Sequence, residues 1–282
     1  MEETKNYIEA FGAIMSDPDI RDYRIATASI ATELPEEFEL TMPKVKNQGS
    51  VGSCVAHSIA LAAEYYNKQQ YDSDDELSVG FIYGNRVAPQ GKHQGMVTRL
   101  AIATFCAEGT PLQSDFSTHC EVPEIIDAVK EKKDELYEAA QKYRSASYIK
   151  TANDEEIKTA VYSGHPVVIA VDWQKDMCYR NGQFFSTFLY GKSGGHAMVI
   201  YGWDKNGFKV QNSWGSGWGN NGCAVWPYFY RIREAYSIID ADDTTLVIKK
   251  PFKANNAFTR FWVKLLNRCY AVWYKITYKF KK

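Results

Sequence analysis

The sequence predicts an α+β chain of two lobes, on three observations. Helical periodicity dominates the first half, short apolar strands punctuated by Gly and Asn dominate the second, and a Gly-rich loop opens the first helix. With 282 residues, 45% of them apolar, the chain can bury one large core or two that share an interface. The formal net charge of −1 gives no reason to expect a nucleic-acid partner.

Residues 1 to about 33 read as a leader. Asp17-Pro18-Asp19 and Ile20-Arg21-Asp22-Tyr23 are polar and turn-rich, without a long helical period. Leu34-Pro35 then opens a stretch that runs into Asn47-Gln48-Gly49-Ser50-Val51-Gly52-Ser53. Val55, Ile59, Ala62, Ala63 and Tyr66 recur at helical spacing behind Ser53, an N-cap residue type. A second helix is expected over about 96–107, stopped by Gly109. A third begins near Pro123 and carries Ile126, Val129, Leu136, Ala140 and Tyr143 on one side. Asn153 with Glu156 starts a short fourth helix, ended by Gly164. Strands follow at 166–171, 197–203, 208–211 and 223–228.

Cys54 stands where a Gly-rich loop meets a helix N-terminus. The reactive form of a cysteine is its thiolate, and the unpaired N–H groups and positive dipole end of a helix stabilise an anion there. A neighbouring imidazolium would lower the thiol pKa further. His196, after Gly194-Gly195 and at the mouth of an apolar strand, is the expected base. Asn212 follows on the next strand and can accept the His N–H, with Trp214 shielding that bond from water. The Gln48 side chain and the Cys54 N–H can form an oxyanion hole, one donor of which is typically worth roughly 3–4 kcal/mol in the transition state.

Other candidates are weaker. His57, one turn beyond Cys54, is expected to pack between the helix and the other lobe. His119 beside Cys120 lacks an evident third ligand, so no metal and no other cofactor is expected. His93 and His165 read as loop residues.

Three motifs together resemble the papain family of cysteine peptidases: Val45-Lys46-Asn47-Gln48-Gly49-Ser50-Val51-Gly52-Ser53-Cys54, the Gly-His strand, and Asn212-Ser213-Trp214-Gly215-Ser216-Gly217-Trp218-Gly219. In that family the His and Asn lie about 130–150 residues beyond the cysteine; His196 falls inside that window and Asn212 slightly past it. The resemblance covers about 34–242. It implies a papain-like fold, with a helical first lobe, an antiparallel β-rich second lobe and the active-site cleft between them. It also implies endopeptidase action on a protein or peptide substrate, through a Cys54 thioester with His196 as acid and base. A catalytically silent binding protein on the same fold, or an acyl transferase using the same residues, remains an alternative.

The resemblance places substrate backbone at Gly95-Met96, where relatives have a glycine pair, and puts Gly195 and Trp214 along the cleft. Val51 and Val55 stand where relatives usually have Cys and Trp. The missing cysteine removes a disulfide usual in secreted relatives. Pro18-Asp19-Ile20-Arg21-Asp22-Tyr23 is similar to a segment of short-leader bacterial and viral members. Relatives are made as zymogens, so residues 1 to about 33 are expected to cross the cleft and hold the enzyme in check; the alternative is an arm packed elsewhere.

Six cysteines without CxxC spacing, an acidic Met1-Glu2-Glu3 start and no apolar run of 18 residues suggest a reduced, cytoplasmic or intracellular protein, or a virion component in a viral setting. The peptidase domain is expected over 34–248, followed by a tail over 249–282. No acidic residue follows Asp243. From Phe258, Arg260, Lys264, Asn267, Arg268 and Lys275 fall on one helical face, with Phe261, Trp262, Leu265, Leu266, Cys269, Val272, Trp273 and Ile276 on the other. That pattern suits either an anionic membrane surface or packing on the peptidase core.

Overall fold

The computed structural model describes residues 11–17, 19, 22, 24–25, 33–86, 95–121, 124–180, 183–187, 191–239 and 248–249. The first part of the chain carries β1 (Ala13–Ile14), β2 (Arg24–Ile25) and β3 (Phe38–Glu39). A helical lobe follows: α1 (Cys54–Tyr71), α2 (Val79–Gly84), β4 (Met96–Val97), α3 (Thr98–Glu108), α4 (Ile125–Lys132) and α5 (Tyr137–Gln141). The remainder is sheet around one helix: β5 (Ser147–Lys150), α6 (Asp154–Tyr162), β6 (Val167–Gln174), β7 (Cys178–Arg180), β8 (Gln183–Phe185), β9 (Lys192–Asp204), β10 (Gly207–Gln211), β11 (Cys223–Pro227), β12 (Ile232–Ile239) and β13 (Ile248–Lys249).

The sheet runs β13-β2-β5-β12-β6-β9-β10-β11-β8-β7, with β3 added beside β9. Its centre, β12, β6, β9, β10 and β11, is antiparallel. The uninterrupted apolar run Val167–Val171 reflects burial on both faces. Val168 and Ala170, with Ala197 and Val199, join the core around α1. Val167, Ile169 and Val171, with Met198 and Ile200, join a second core on the opposite face, with Ile157 and Ala160 of α6. Side chains alternate across a strand, so one stretch of sheet serves both cores.

Several elements differ from the expectation. Met96 and Val97 form a strand rather than the first helical turn, because Ala13 and Ile14 pair with them. The third helix is two, α4 and α5. Its expected start at Pro123 lies outside the described residues. Ser53 precedes α1 but makes no side-chain cap bond. The Asn153 cap holds: its Oδ1 accepts the Glu156 N–H at 2.8 Å. His165 lies in a loop, yet its ring is buried and hydrogen-bonds the Tyr66 hydroxyl at 2.9 Å. The leader, expected to lack strong structure, contributes two strands. The tail beyond Lys249 and His93 lie outside the described residues.

Candidate active site

Cys54 begins α1 and His196 lies in β9, against which α1 packs, so the two lobes bring them to one place. Asn212 follows β10, the antiparallel neighbour of β9. Its Oδ1 lies 2.7 Å from His196 Nε2. An amide oxygen only accepts, so this contact puts the ring proton on Nε2 and leaves Nδ1 bare. His196 Nδ1 has no hydrogen-bond partner among the described residues. Trp214 stacks on the ring, with centroids 4.5 Å apart and planes at 29°.

Gln48 is held rigidly. Its backbone N–H donates to Ser213 O at 2.8 Å, its Oε1 accepts the Ser213 hydroxyl at 2.7 Å, and its Nε2 donates to Val51 O at 2.8 Å. Ser213 also donates its backbone N–H to Asn212 Oδ1 at 2.8 Å. The sequence motifs assign Ser213 no role, although it lies between Asn212 and Trp214.

The leader lies across this site. A Cβ on Gly12 would fall 1.7 Å from Gly52 O, so only glycine passes over the loop before Cys54. Met96 N–H donates to Gly12 O at 2.8 Å, and a Cβ on Gly195 would fall 1.9 Å from Ala13 O. Gly95 and Met96, the positions expected to hold substrate backbone, and Gly195, expected along the cleft, all meet the leader. Phe11 stands with its ring centroid 5.9 Å from His196 and 6.1 Å from Trp214.

Beyond the cleft the leader is clamped. Ser16 N–H donates to Glu234 Oε1 at 2.5 Å, and the Ser16 hydroxyl accepts the Arg99 N–H at 3.0 Å. The Arg99 guanidinium reaches Asp19 at 3.2 Å and Asp22 at 3.6 Å, and Lys150 reaches Asp22 at 3.3 Å. Burial holds both Glu234 and Asp22 above the usual carboxylate range.

The electrostatics reverse one expectation. Burial pushes the Cys54 thiol up to about 11, outweighing the N–H groups of Ala197, Gly12 and Val55 that favour its anion. Burial likewise pushes His196 down to about 4, against the Asn212 bond. Under the leader the pair is a neutral thiol and a neutral imidazole, because desolvation exceeds the helix-end effect. His57 is buried, bonds Ser53 O through Nδ1 at 3.0 Å and is also pushed down to about 4. No group of three His, Cys, Asp or Glu suited to a metal occurs among the described residues. Cys54, Cys106, Cys120, Cys178 and Cys223 are free thiols.

Residues 34–237 match the model of the family described as papain family cysteine protease. The chain belongs to that family. This papain-family protein is 29% identical over 267 residues to an uncharacterized peptidase C1-like protein of Acanthamoeba polyphaga mimivirus, covering 81% of this chain and 84% of the relative. Among solved structures it is similar to xylellain, a cysteine protease from Xylella fastidiosa. That match has a TM-score of 0.69 and 23% identity, over 83% of this chain and 97% of the other. It is also similar to digestive procathepsin L 3 of Tenebrio molitor larval midgut, with a TM-score of 0.63 and 19% identity over 84% and 78% of the two chains. The papain-like α+β fold expected from the sequence is the fold observed, and the protein is a cysteine-type endopeptidase acting on protein or peptide substrates.

Proposed function

We propose that Cys54 is the nucleophile, His196 its acid and base, Asn212 the residue that orients His196, and Gln48 an oxyanion donor. The observation that carries this reading is the 2.7 Å contact between His196 Nε2 and Asn212 Oδ1. It leaves Nδ1 to exchange protons, and the backbone N–H of Ala197, the next residue, meets the Cys54 sulfur. The thiolate attacks the scissile carbonyl, and the Gln48 Nε2–H and Cys54 N–H hold the oxyanion. His196 protonates the leaving amine as the C–N bond breaks. It then takes a proton from water, whose oxygen attacks the thioester and expels the thiolate.

The leader is the enzyme's own inhibitor in this reading. The amine protonated by His196 leaves toward Trp214, so substrate runs from Met96 toward Trp214. The leader runs the other way, from Phe11 at Trp214 to Ala13–Ile14 beside Met96–Val97, parallel to that strand. It fills the cleft with its peptide bonds reversed relative to substrate.

The test is labelling by a peptidyl epoxide in a Gly12→Val protein, where the leader cannot seat. Modification at Cys54 that is lost in the added His196→Ala variant supports the assignment. Equal labelling of both proteins overturns it and returns the silent-scaffold alternative. Added amine in a product assay separates hydrolysis from acyl transfer.

The tail is proposed to bind anionic membrane surfaces, supported by its basic and aromatic faces. Co-sedimentation with anionic vesicles, compared with a chain ending near Lys250, tests this: equal pelleting of the two overturns it. An intracellular setting is proposed on the free thiols and on Val51 in place of a bridging cysteine, to be checked by fractionation.

A further inference from the structure

We propose that Trp173 is a specificity-determining residue, forming with Trp214 a slot for an aromatic side chain on the substrate residue that follows the scissile bond. The inference rests on the assignment of Cys54 and His196 above. Phe11 already occupies the slot. Its ring lies 6.1 Å from Trp173 at 34°, 6.1 Å from Trp214 at 65°, and 5.9 Å edge-on from His196 at 81°.

The walls stand without Phe11. Trp173 packs on Trp214 at 4.9 Å, on Phe184 at 5.5 Å and on Trp226 at 6.4 Å. Trp214 is fixed in turn by its stack on His196 and by Trp218 at 5.5 Å. Aromatic rings prefer these offset and edge-on arrangements, and a slot already built loses little entropy on filling.

Position assigns the substrate residue. His196 delivers its proton to the leaving amine, so the residue carrying that amine passes beside the imidazole and Trp214. An aromatic side chain there reaches Trp173 as Phe11 does. The acyl half of the substrate lies along Met96, on the other side of Cys54.

The test reads how the thioester divides between water and an added amine, a ratio independent of how much enzyme is uncovered. A peptidyl ester acylates Cys54. Phenylalanine amide or alanine amide then attacks: the new C–N bond forms, the C–S bond breaks, the amine proton passes to His196 and the thiolate is restored. The full chain is used with Phe11→Ala, which empties the slot.

Transfer to phenylalanine amide is expected to exceed transfer to alanine amide by about tenfold. That preference should fall to about twofold or less in Trp173→Leu, which keeps an apolar side chain; the ratio of the two transfers is the readout, whatever the change in overall rate. Equal transfer to both amines in the Trp173 protein, or a preference that survives Trp173→Leu, overturns the slot. Absence of ester turnover would instead overturn the Cys54–His196 assignment, and the slot with it.

Discussion

The Ser213 hydroxyl donates to Gln48 Oε1 at 2.7 Å, while the backbone N–H of the same serine donates to Asn212 Oδ1. One residue thus sets the orientation of the Gln48 amide, the proposed oxyanion donor, and of the Asn212 amide that meets His196. With its oxygen held by Ser213, Gln48 has to present nitrogen on its other side.

Ser213→Ala should therefore lower kcat about tenfold with little change in KM, since a buried amide oxygen left without its partner costs about 1–3 kcal/mol and frees the side chain to turn. Steady-state kinetics beside a melting curve check this. An unchanged kcat would mean that Gln48 keeps its orientation without the Ser213 hydroxyl, as through its Nε2 bond to Val51 O.

Cys54→Ala should abolish peptidase activity with the fold retained, because it removes one sulfur at a helix start. His196→Ala should cost about 10²–10⁴-fold. Asn212→Ala should cost less, since it orients the ring and carries no proton. Equal rates for the His196 and Asn212 variants would contradict the division of roles.

Gly12→Ala places a methyl group where Gly52 O stands. Overpacking of this kind costs about 1–3 kcal/mol, so the leader should lift and turnover of the full chain should rise about tenfold or more. The same turnover in both proteins, each folded, would show that residues 11–17 do not limit access.

The two buried groups give the leader a pH window. The Cys54 thiol, raised from 9.0 to about 11, keeps under the leader a proton that an open thiol would release. Cover is therefore favoured below about pH 9 and lost as pH rises through 11. His196, lowered from 6.5 to about 4, stays neutral where an open imidazole would gain a proton, so cover weakens as pH falls from about 6.5 through 4. Glu234 and Asp22, raised by burial, act in the opposite sense on the acid side. Alkylation of Cys54 in the full chain, mapped by mass, should stay slow near neutrality and climb toward pH 11. A plateau at neutral pH would mean that the thiolate–imidazolium pair already exists under the leader.

The three motifs singled out Cys54, His196, Asn212 and Gln48, because each departs from what a core or a turn requires, and the fold brings His196 and Asn212 into contact. The pairing partners of the leader were not legible. Met96 and Val97 fit the helical period that follows them, and only the arrival of Ala13 and Ile14 turns them into a strand. Trp173 lay past the end of the apolar run 166–171, and nothing local shows that it faces His196. Likewise Glu234 reads as one polar residue among many until Ser16 caps it from 218 positions away.

That separation bears on how the molecule is made. β2 sits in the sheet between β5 and β13, so the leader is pinned by strands that lie far beyond it along the chain. Closing so long a loop is slow, and it has nothing to dock on until the sheet exists. Each nascent molecule should then pass through an interval with its fold assembled and its thiol uncovered, when neighbouring chains are within its reach. Pulse alkylation during refolding should trap Cys54 in that interval, after sheet formation and before the leader seats.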